Sequence, residues 1–202
     1  AITSQPTDST ICSGNNATFG VTATGTSLSY QWQQYNGSSW SDISNTGIYS
    51  GATSSTLTLS SATTSVDGYQ YRVVITGTCS PTDTSNAATL HINTAPVVTA
   101  DPADTTVCEG GTAIFTISTT GDQLTYQWEE NRGSGWNNLS DGGIYAGSAN
   151  DTLRLTAVTA AMSGYRYRCF VSGYCSPNVT SGSGTLNINT APSISSQPSA
   201  ST

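Results

Sequence analysis

The sequence predicts an all-β protein built as two tandem β-sandwiches in a head-to-tail array, and three observations carry that expectation. The 202-residue chain repeats itself at a constant offset of 96 residues. Inside each copy apolar and polar residues alternate, as in Ala17-Thr-Phe19-Gly-Val21, Leu57-Thr-Leu59 and Leu90-His-Ile92, the pattern of half-buried strands rather than helices. Clusters of Gly, Asn, Ser and Pro break these runs roughly every ten residues, the punctuation of an all-β sandwich.

The repeat is an ordered set of motifs. Cys12-Ser-Gly14-Asn-Asn-Ala-Thr-Phe19 returns as Cys108-Glu-Gly110-Gly-Thr-Ala-Ile-Phe115, and Tyr30-Gln-Trp32 as Tyr126-Gln-Trp128. Gly47-Ile-Tyr49-Ser-Gly51 returns as Gly143-Ile-Tyr145-Ala-Gly147, Gly68-Tyr-Gln-Tyr-Arg72 as Gly164-Tyr-Arg-Tyr-Arg168, and Cys79-Ser-Pro81 as Cys175-Ser-Pro177. Each copy closes on Asn-Thr-Ala-Pro. The units are therefore expected at 1–96 and 97–192. Ser193-Ile-Ser-Ser-Gln-Pro198 matches Ala1-Ile-Thr-Ser-Gln-Pro6, so 193–202 is expected to be the first strand of a third repeat and the chain a window on a longer array.

In the first unit, strands are expected at 1–5 and 8–12, split by Pro6, whose missing N–H is harmless at a sheet edge. Then come 16–23, carrying Phe19 and Val21; 28–35, carrying Trp32; and 38–44, entered through a Gly-Ser turn before Trp40. The remainder are 47–50, 55–60 with Leu57 and Leu59, 68–76 with Tyr71 and Val73, and 86–93 with Leu90 and Ile92.

These residues carry a resemblance to the immunoglobulin fold. Trp32 matches its buried Trp, and Tyr71, two residues before Val73 and four after Asp67, matches its tyrosine corner. Trp128 and Tyr167 are the second-unit equivalents, and all four are expected in the core. Val21 and Val73 stand where that fold has its inter-sheet disulfide; Ile117 and Cys169 do so in the second unit. The fuller pattern resembles immunoglobulin-like repeats of large secreted surface proteins of Bacteroidota, often exported by the type IX system. That resemblance implies two tandem immunoglobulin-like β-sandwiches, in segments that are adhesive, structural or spacing, and that also occur beside catalytic domains of secreted hydrolases.

Of five cysteines, Cys12, Cys79, Cys108 and Cys175 repeat at the offset and Cys169 does not. No Cys-x-x-Cys spacing is present and the single His91 has no partner, so disulfides, and with them an extracellular or cell-surface location, are expected. The simplest pairing is within units, Cys12–Cys79 and Cys108–Cys175, each worth about 4 kcal/mol in the chain-entropy model. The strand order places Cys12 and Cys79 at opposite ends of a sandwich, so Cys12–Cys175 is the alternative, with Cys79 and Cys108 awaiting other units. Cys169 has inward parity and reads as a small buried hydrophobe.

Charge and chemistry exclude several classes. Charged residues are 8% of the chain, with five Arg, no Lys and twelve acids, and Ser plus Thr make up about a third. A formal charge of −7 gives no hold on phosphate backbones and repels anionic lipid, so neither nucleic acid nor membrane insertion is expected. One His and no Lys leave general acid–base and Schiff-base chemistry without their usual residues. Glu129 and Glu130 are adjacent on one strand and point to opposite faces, which is not a glycosidase dyad. Asp101 and Asp104, whose first-unit counterparts are Gln5 and Asp8, are too few for calcium and are expected to be solvated. No cofactor or metal is expected.

Sequons begin at Asn16, Asn36, Asn138, Asn150 and Asn178 and are expected to be silent in a bacterial chain. The Bacteroidota resemblance instead implies O-glycans on Asp-Ser/Thr motifs, at Ser9, Thr105 and Thr152. Trp40 and Trp136, with Tyr35, Tyr49 and Tyr69 nearby, read either as a shelf for sugar rings or as rings that cap the sandwich. The expected function is a non-enzymatic structural segment, a filament or adhesin stalk, whose partners are neighbouring repeats and cell-surface glycans. The alternative is a glycan-binding or spacer module of a secreted hydrolase.

Overall fold

A computed structural model describes residues 1–196. The chain divides between Ala95 and Pro96 into two compact units. The first contains β1 (Ile2–Ser4), β2 (Ser9–Cys12), β3 (Ala17–Gly20), β4 (Thr22–Ala23), β5 (Ser29–Tyr35) and β6 (Trp40–Asp42). It continues with β7 (Tyr49–Ser50), β8 (Thr56–Leu59), β9 (Gln70–Thr76), β10 (Asp83–Thr84) and β11 (Ala88–Asn93). The second contains β12 (Val97–Ala100), β13 (Thr105–Cys108), β14 (Ala113–Thr116), β15 (Ser118–Thr120), β16 (Thr125–Asn131) and β17 (Trp136–Asn138). Then follow β18 (Tyr145–Ala146), β19 (Thr152–Leu155), β20 (Arg166–Ser172), β21 (Val179–Thr180) and β22 (Gly184–Asn189). One-turn 3-10 helices at Thr64–Val66 and Ala160–Met162 join β8 to β9 and β19 to β20.

In each unit one layer is a sheet in the order β2-β11-β9-β5-β6, with β10 on β9, or β13-β22-β20-β16-β17, with β21 on β20. The other layer holds β3-β8-β7 with the pair β1-β4, or β14-β19-β18 with β12-β15. Pro6, buried between β1 and β2, marks where the first strand leaves one layer for the other. Strand β2 runs parallel to β11, with Ser9 opposite Leu90 and Cys12 opposite Asn93; β13 and β22 repeat this from Thr105–Leu186 to Cys108–Asn189.

The cores follow from alternation. Along β9, Tyr71, Val73 and Ile75 point inward, and Val73 lies opposite Trp32 of β5. Trp32, Tyr71, Trp128 and Tyr167 are all fully buried. Phe19 of one layer meets Tyr71 of the other at 4.8 Å between ring centroids, as Phe115 meets Tyr167. The repeated Tyr-Gln-Trp motif has a use for each polar group. The Trp32 indole N–H donates to Ser54 O at 2.9 Å, and the Gln31 amide donates to the carbonyls of Trp32 and Ile43. Val21 with Val73 and Ile117 with Cys169 are buried in their respective cores.

Beyond strand ends shifted by one or two residues, the structure departs from the expected elements as follows. The strand expected over 16–23 is interrupted at Val21, where pairing passes from β8 to β1; Ile117 interrupts its counterpart. The strand expected over 86–93 begins at Ala88, and a short β10 precedes it. Between them Ser85 turns inward. Its hydroxyl accepts the Val73 N–H at 2.9 Å and donates to Asn86 O, and Ser181 does the same for Cys169 and Gly182. Of the third-repeat strand expected at 193–202, Ser193–Ser196 carry no strand, and 197–202 lie outside the described residues.

Candidate functional site

Three groups of residues were candidates for chemistry: the aromatic surface, the acids and the cysteines. Trp40 and Tyr35 meet on the outer face of the β5–β6 hairpin, ring centroids 5.5 Å apart. The Arg72 guanidinium of β9 lies 4.0 Å above the Trp40 ring, and its Nε donates to Gln33, whose amide donates to Asp42. In the second unit Arg168 lies 4.1 Å over Trp136 and its Nε donates to Glu129 Oε2 at 2.6 Å. A partly exposed Arg–Trp stack is worth about 0.5–1 kcal/mol. The guanidinium occupies one face of each indole. Tyr49 and Tyr69 do not join this shelf. Tyr49 sits on β7 of the opposite layer with its hydroxyl on Gln34 Oε1 at 2.7 Å, and Tyr69 packs against the core.

The adjacent acids separate as strand geometry requires. Glu129 faces outward to Arg168, whereas Glu130 is 2% exposed. Glu130 accepts hydrogen bonds from the hydroxyls of Tyr145 and Tyr167 and from Arg132. Burial, reinforced by Glu130, raises the Tyr145 phenol to about 12 and pushes Tyr167 higher still. Burial likewise raises Tyr49 and Tyr71, which share a hydroxyl contact of 3.3 Å. All of Glu130's hydrogen-bonding groups are thus engaged inside the sandwich. Inward parity two residues after Trp128 was the sequence signal for its burial; Arg132 follows it by two residues, whereas Tyr145 and Tyr167 come from other strands and left no signal.

Asp101 and Asp104 are not merely solvated. Asp101 accepts the Gly182 N–H and Asp104 the Thr185 N–H, both at 2.7 Å, while Gln5 and Asp8 take Asn86 and Thr89. These side chains fasten the first strand segment to the last. Asp67 does similar work at the tyrosine corner by accepting the Ile92 N–H at 2.7 Å. Among the described residues no group of three or more His, Cys, Asp or Glu is placed to hold a metal ion. Ser9, Thr105 and Thr152 are half-buried; the Thr105 hydroxyl donates to Ile114 O and that of Thr152 to Thr116.

Cys12 and Cys175 are disulfide-bonded, whereas Cys79 and Cys108 are free, exposed thiols. The within-unit pairs Cys12–Cys79 and Cys108–Cys175 are therefore not formed. The reason is distance. Cys12 lies beside Asn93, beyond the Gln70 end of β9, and Cys79 lies beyond its Thr76 end. Seven extended residues alone span roughly 20 Å, against the ~7 Å limit between bridged Cα atoms. Cys169 is fully buried, and burial pushes its thiol up to about 11, which keeps it protonated and unreactive.

Solved structures with this architecture are tandem immunoglobulin domains. The I-band fragment I67-I69 from titin matches 94% of this chain and 65% of its own, with a TM-score of 0.74 and 18% identity. Sidekick-1 immunoglobulin domains 1-4 match 94% of this chain and 48% of theirs, with a TM-score of 0.68 and 21% identity. Both units are immunoglobulin-like. No family model matches the sequence. A stretch of 121 residues, 59% of the chain, is 35% identical to Endoglucanase C of Cellulomonas fimi and spans 10% of that protein's length. Neither likeness points to Bacteroidota or to type IX export. No helix among the described residues is long and apolar enough to cross a membrane.

Proposed function

We propose that the chain is a non-catalytic, force-bearing spacer of an extracellular multidomain protein, a stalk or filament made of repeated immunoglobulin-like units. The observation that carries this reading is the parallel pairing of β2 with β11 and of β13 with β22. In each unit these are the first and last strands of the larger sheet. The incoming end of one and the outgoing end of the other therefore lie at opposite ends of the pair. Tension along the chain loads all the hydrogen bonds between them together, in shear, instead of opening them one at a time. The side-chain clamps from Asp8 and Asp104 reinforce the same seam. The engaged state of Glu130 and of the Arg–Trp stacks supports a role through shape rather than through a reactive or open binding face. Origin in a Bacteroidota surface array and O-glycans on Ser9, Thr105 and Thr152 belong to this proposal; an intact mass equal to that of the bare chain removes the glycans.

A second reading, an accessory module beside a glycan-degrading domain, is favoured by the 35% identity to part of Endoglucanase C. The two separate in a polysaccharide retention assay on the purified chain, with cellulose, xylan, chitin and a soluble oligosaccharide panel. The spacer reading predicts no retention and no released sugar. Retention that disappears in Trp40→Ala or Trp136→Ala would overturn it in favour of a carbohydrate-binding face.

A further inference from the structure

An open hollow of about 290 Å³ lies at one end of the first unit, walled by Leu28, Ile75, Gly77, Cys79 and Pro81 and bordered by Ala1. The repeat shows what such a place holds. Gly173 of the second unit is the equivalent of Gly77. A Cβ added at either would meet the same pair of neighbours: Thr26 O and Leu28 at 3.2 and 3.4 Å in the first unit, Asp122 O and Leu124 at 2.9 and 3.3 Å in the second. At Gly173 it would meet a third, the ring of Pro96, at 3.3 Å. Pro96 is buried and stands just before β12, which pairs with β15 as β1 pairs with β4. The hollow therefore has the walls of a seat for a proline that leads into a first strand.

The chain carries a second such proline. Asn189-Thr-Ala-Pro192 is identical to Asn93-Thr-Ala-Pro96, and Ser193-Ile-Ser-Ser-Gln-Pro198 matches Ala1-Ile-Thr-Ser-Gln-Pro6. Pro192 is exposed, and Ile194 is 77% exposed, whereas its equivalents Ile2 and Val98 pack against their cores.

We propose that a second copy of this chain docks at the hollow by strand exchange: its Pro192 enters the seat and its residues 193–198 take the place of β1. The incoming segment carries the groups that β1 and its tail use. Ile2 packs on the core, the Thr3 hydroxyl donates to Thr22 O, Gln5 accepts the Asn86 N–H, and Pro6 is buried. Ile194, Ser195, Gln197 and Pro198 supply the same apolar side chain, hydroxyl, amide and ring. Strand β1 has three residues, pairs with the two-residue β4 in a sheet of its own, and is parted from β2 by Pro6, so it leaves without unpicking the larger sheet. The leaving and arriving strands are nearly equal in their contacts. The Pro192 ring adds apolar burial that β1 does not have, and this tips the exchange. Because donor and acceptor are different surfaces, repeated exchange builds open head-to-tail oligomers. The inference does not depend on whether the units bear force.

Two measurements on the purified chain test it, after annealing just below the unfolding temperature. Anaerobic sedimentation over a concentration series should show growing oligomers, which an excess of the synthetic peptide with the sequence of 189–198 returns to monomer. Pro192→Ala and Ile194→Asp, at exposed positions beyond β22, should abolish the oligomers with an unchanged urea midpoint. The same peptide should slow alkylation of Cys79, which lines the hollow, and leave that of Cys108, an exposed thiol of the second unit, unchanged. A peptide with Ala for Pro192 should need roughly tenfold more to give the same protection. A chain that stays monomeric at every concentration, oligomers that survive Ile194→Asp, or equal protection of Cys79 by the two peptides would overturn the inference.

Discussion

Tyr145 and Tyr167 show how one buried side chain sets the properties of others. Both phenols donate to Glu130, and both have raised pKa values because burial disfavours the phenolate, with the neighbouring carboxylate adding to it. A folded pKa above the unfolded value of about 10 gives stability that is fully present below pH 10 and lost as pH rises through the folded value. The sandwich should therefore weaken from about pH 10 upward, through the Tyr145 value of about 12. Urea midpoints followed between about pH 8 and 12 check this, alongside phenolate absorbance. The native chain should carry fewer phenolates than the unfolded chain at about pH 11, and Tyr145→Phe/Tyr167→Phe should shrink the difference. Equal phenolate absorbance in the two states would contradict the account. The first unit has Gln34 in place of Glu130, with Tyr49 donating to it, so the same arrangement is built without a buried charge.

Turns decide how the short strands are held. In the repeated Gly-Ile-Tyr-x-Gly motif the closing glycines, Gly51 and Gly147, have φ of +76° and +83°. A Cβ at Gly147 would stand 2.3 Å from the Thr152 carbonyl oxygen, a backbone atom that β19 holds in place. Gly147→Ala should therefore cost about 1–3 kcal/mol or more, from strain and collision together. Gly133→Ala, at φ +105° with nothing within 4 Å of the added atom, should cost less because only the strain applies. Urea denaturation of the two variants gives the comparison, and equal losses would show that the collision is relieved. The strands themselves were legible from alternation. Tyr71, Val73 and Ile75 announce β9, and Leu57 and Leu59 announce β8. The interruptions at Val21 and Ser85 were not legible, because each depends on which strand supplies the partner, and alternation encodes facing rather than pairing. The backbone clamps of Asp101 and Asp104 were hidden for the same reason: their acceptors serve amides 81 residues away.

For the whole molecule, the offset of 96 residues made the duplication plain, and the buried Trp32 and Trp128 sit at equivalent places in two separate cores. What the cysteines do was only half legible. Their repetition pointed to disulfides and the strand order already set Cys12 and Cys79 at opposite ends of a unit, but only the free state of Cys79 and Cys108 decides against the pairing within units. The aromatic shelf was half legible too: Trp40 and Trp136 are where the hairpins place them, but the covering Arg72 and Arg168 come from the neighbouring strand. The parallel seam between β2 and β11 is the feature on which the functional account depends. Pulling the reduced chain by its two ends in a single-molecule force experiment tests it most directly, with the disulfide opened so that only packing and hydrogen bonds resist. The account predicts two discrete rupture events, each releasing about 300 Å at ~3.5 Å per residue, and a lower rupture force when Asp8 and Asp104 are replaced by Ala. Smooth extension without rupture events, or forces unchanged by those substitutions, would contradict it.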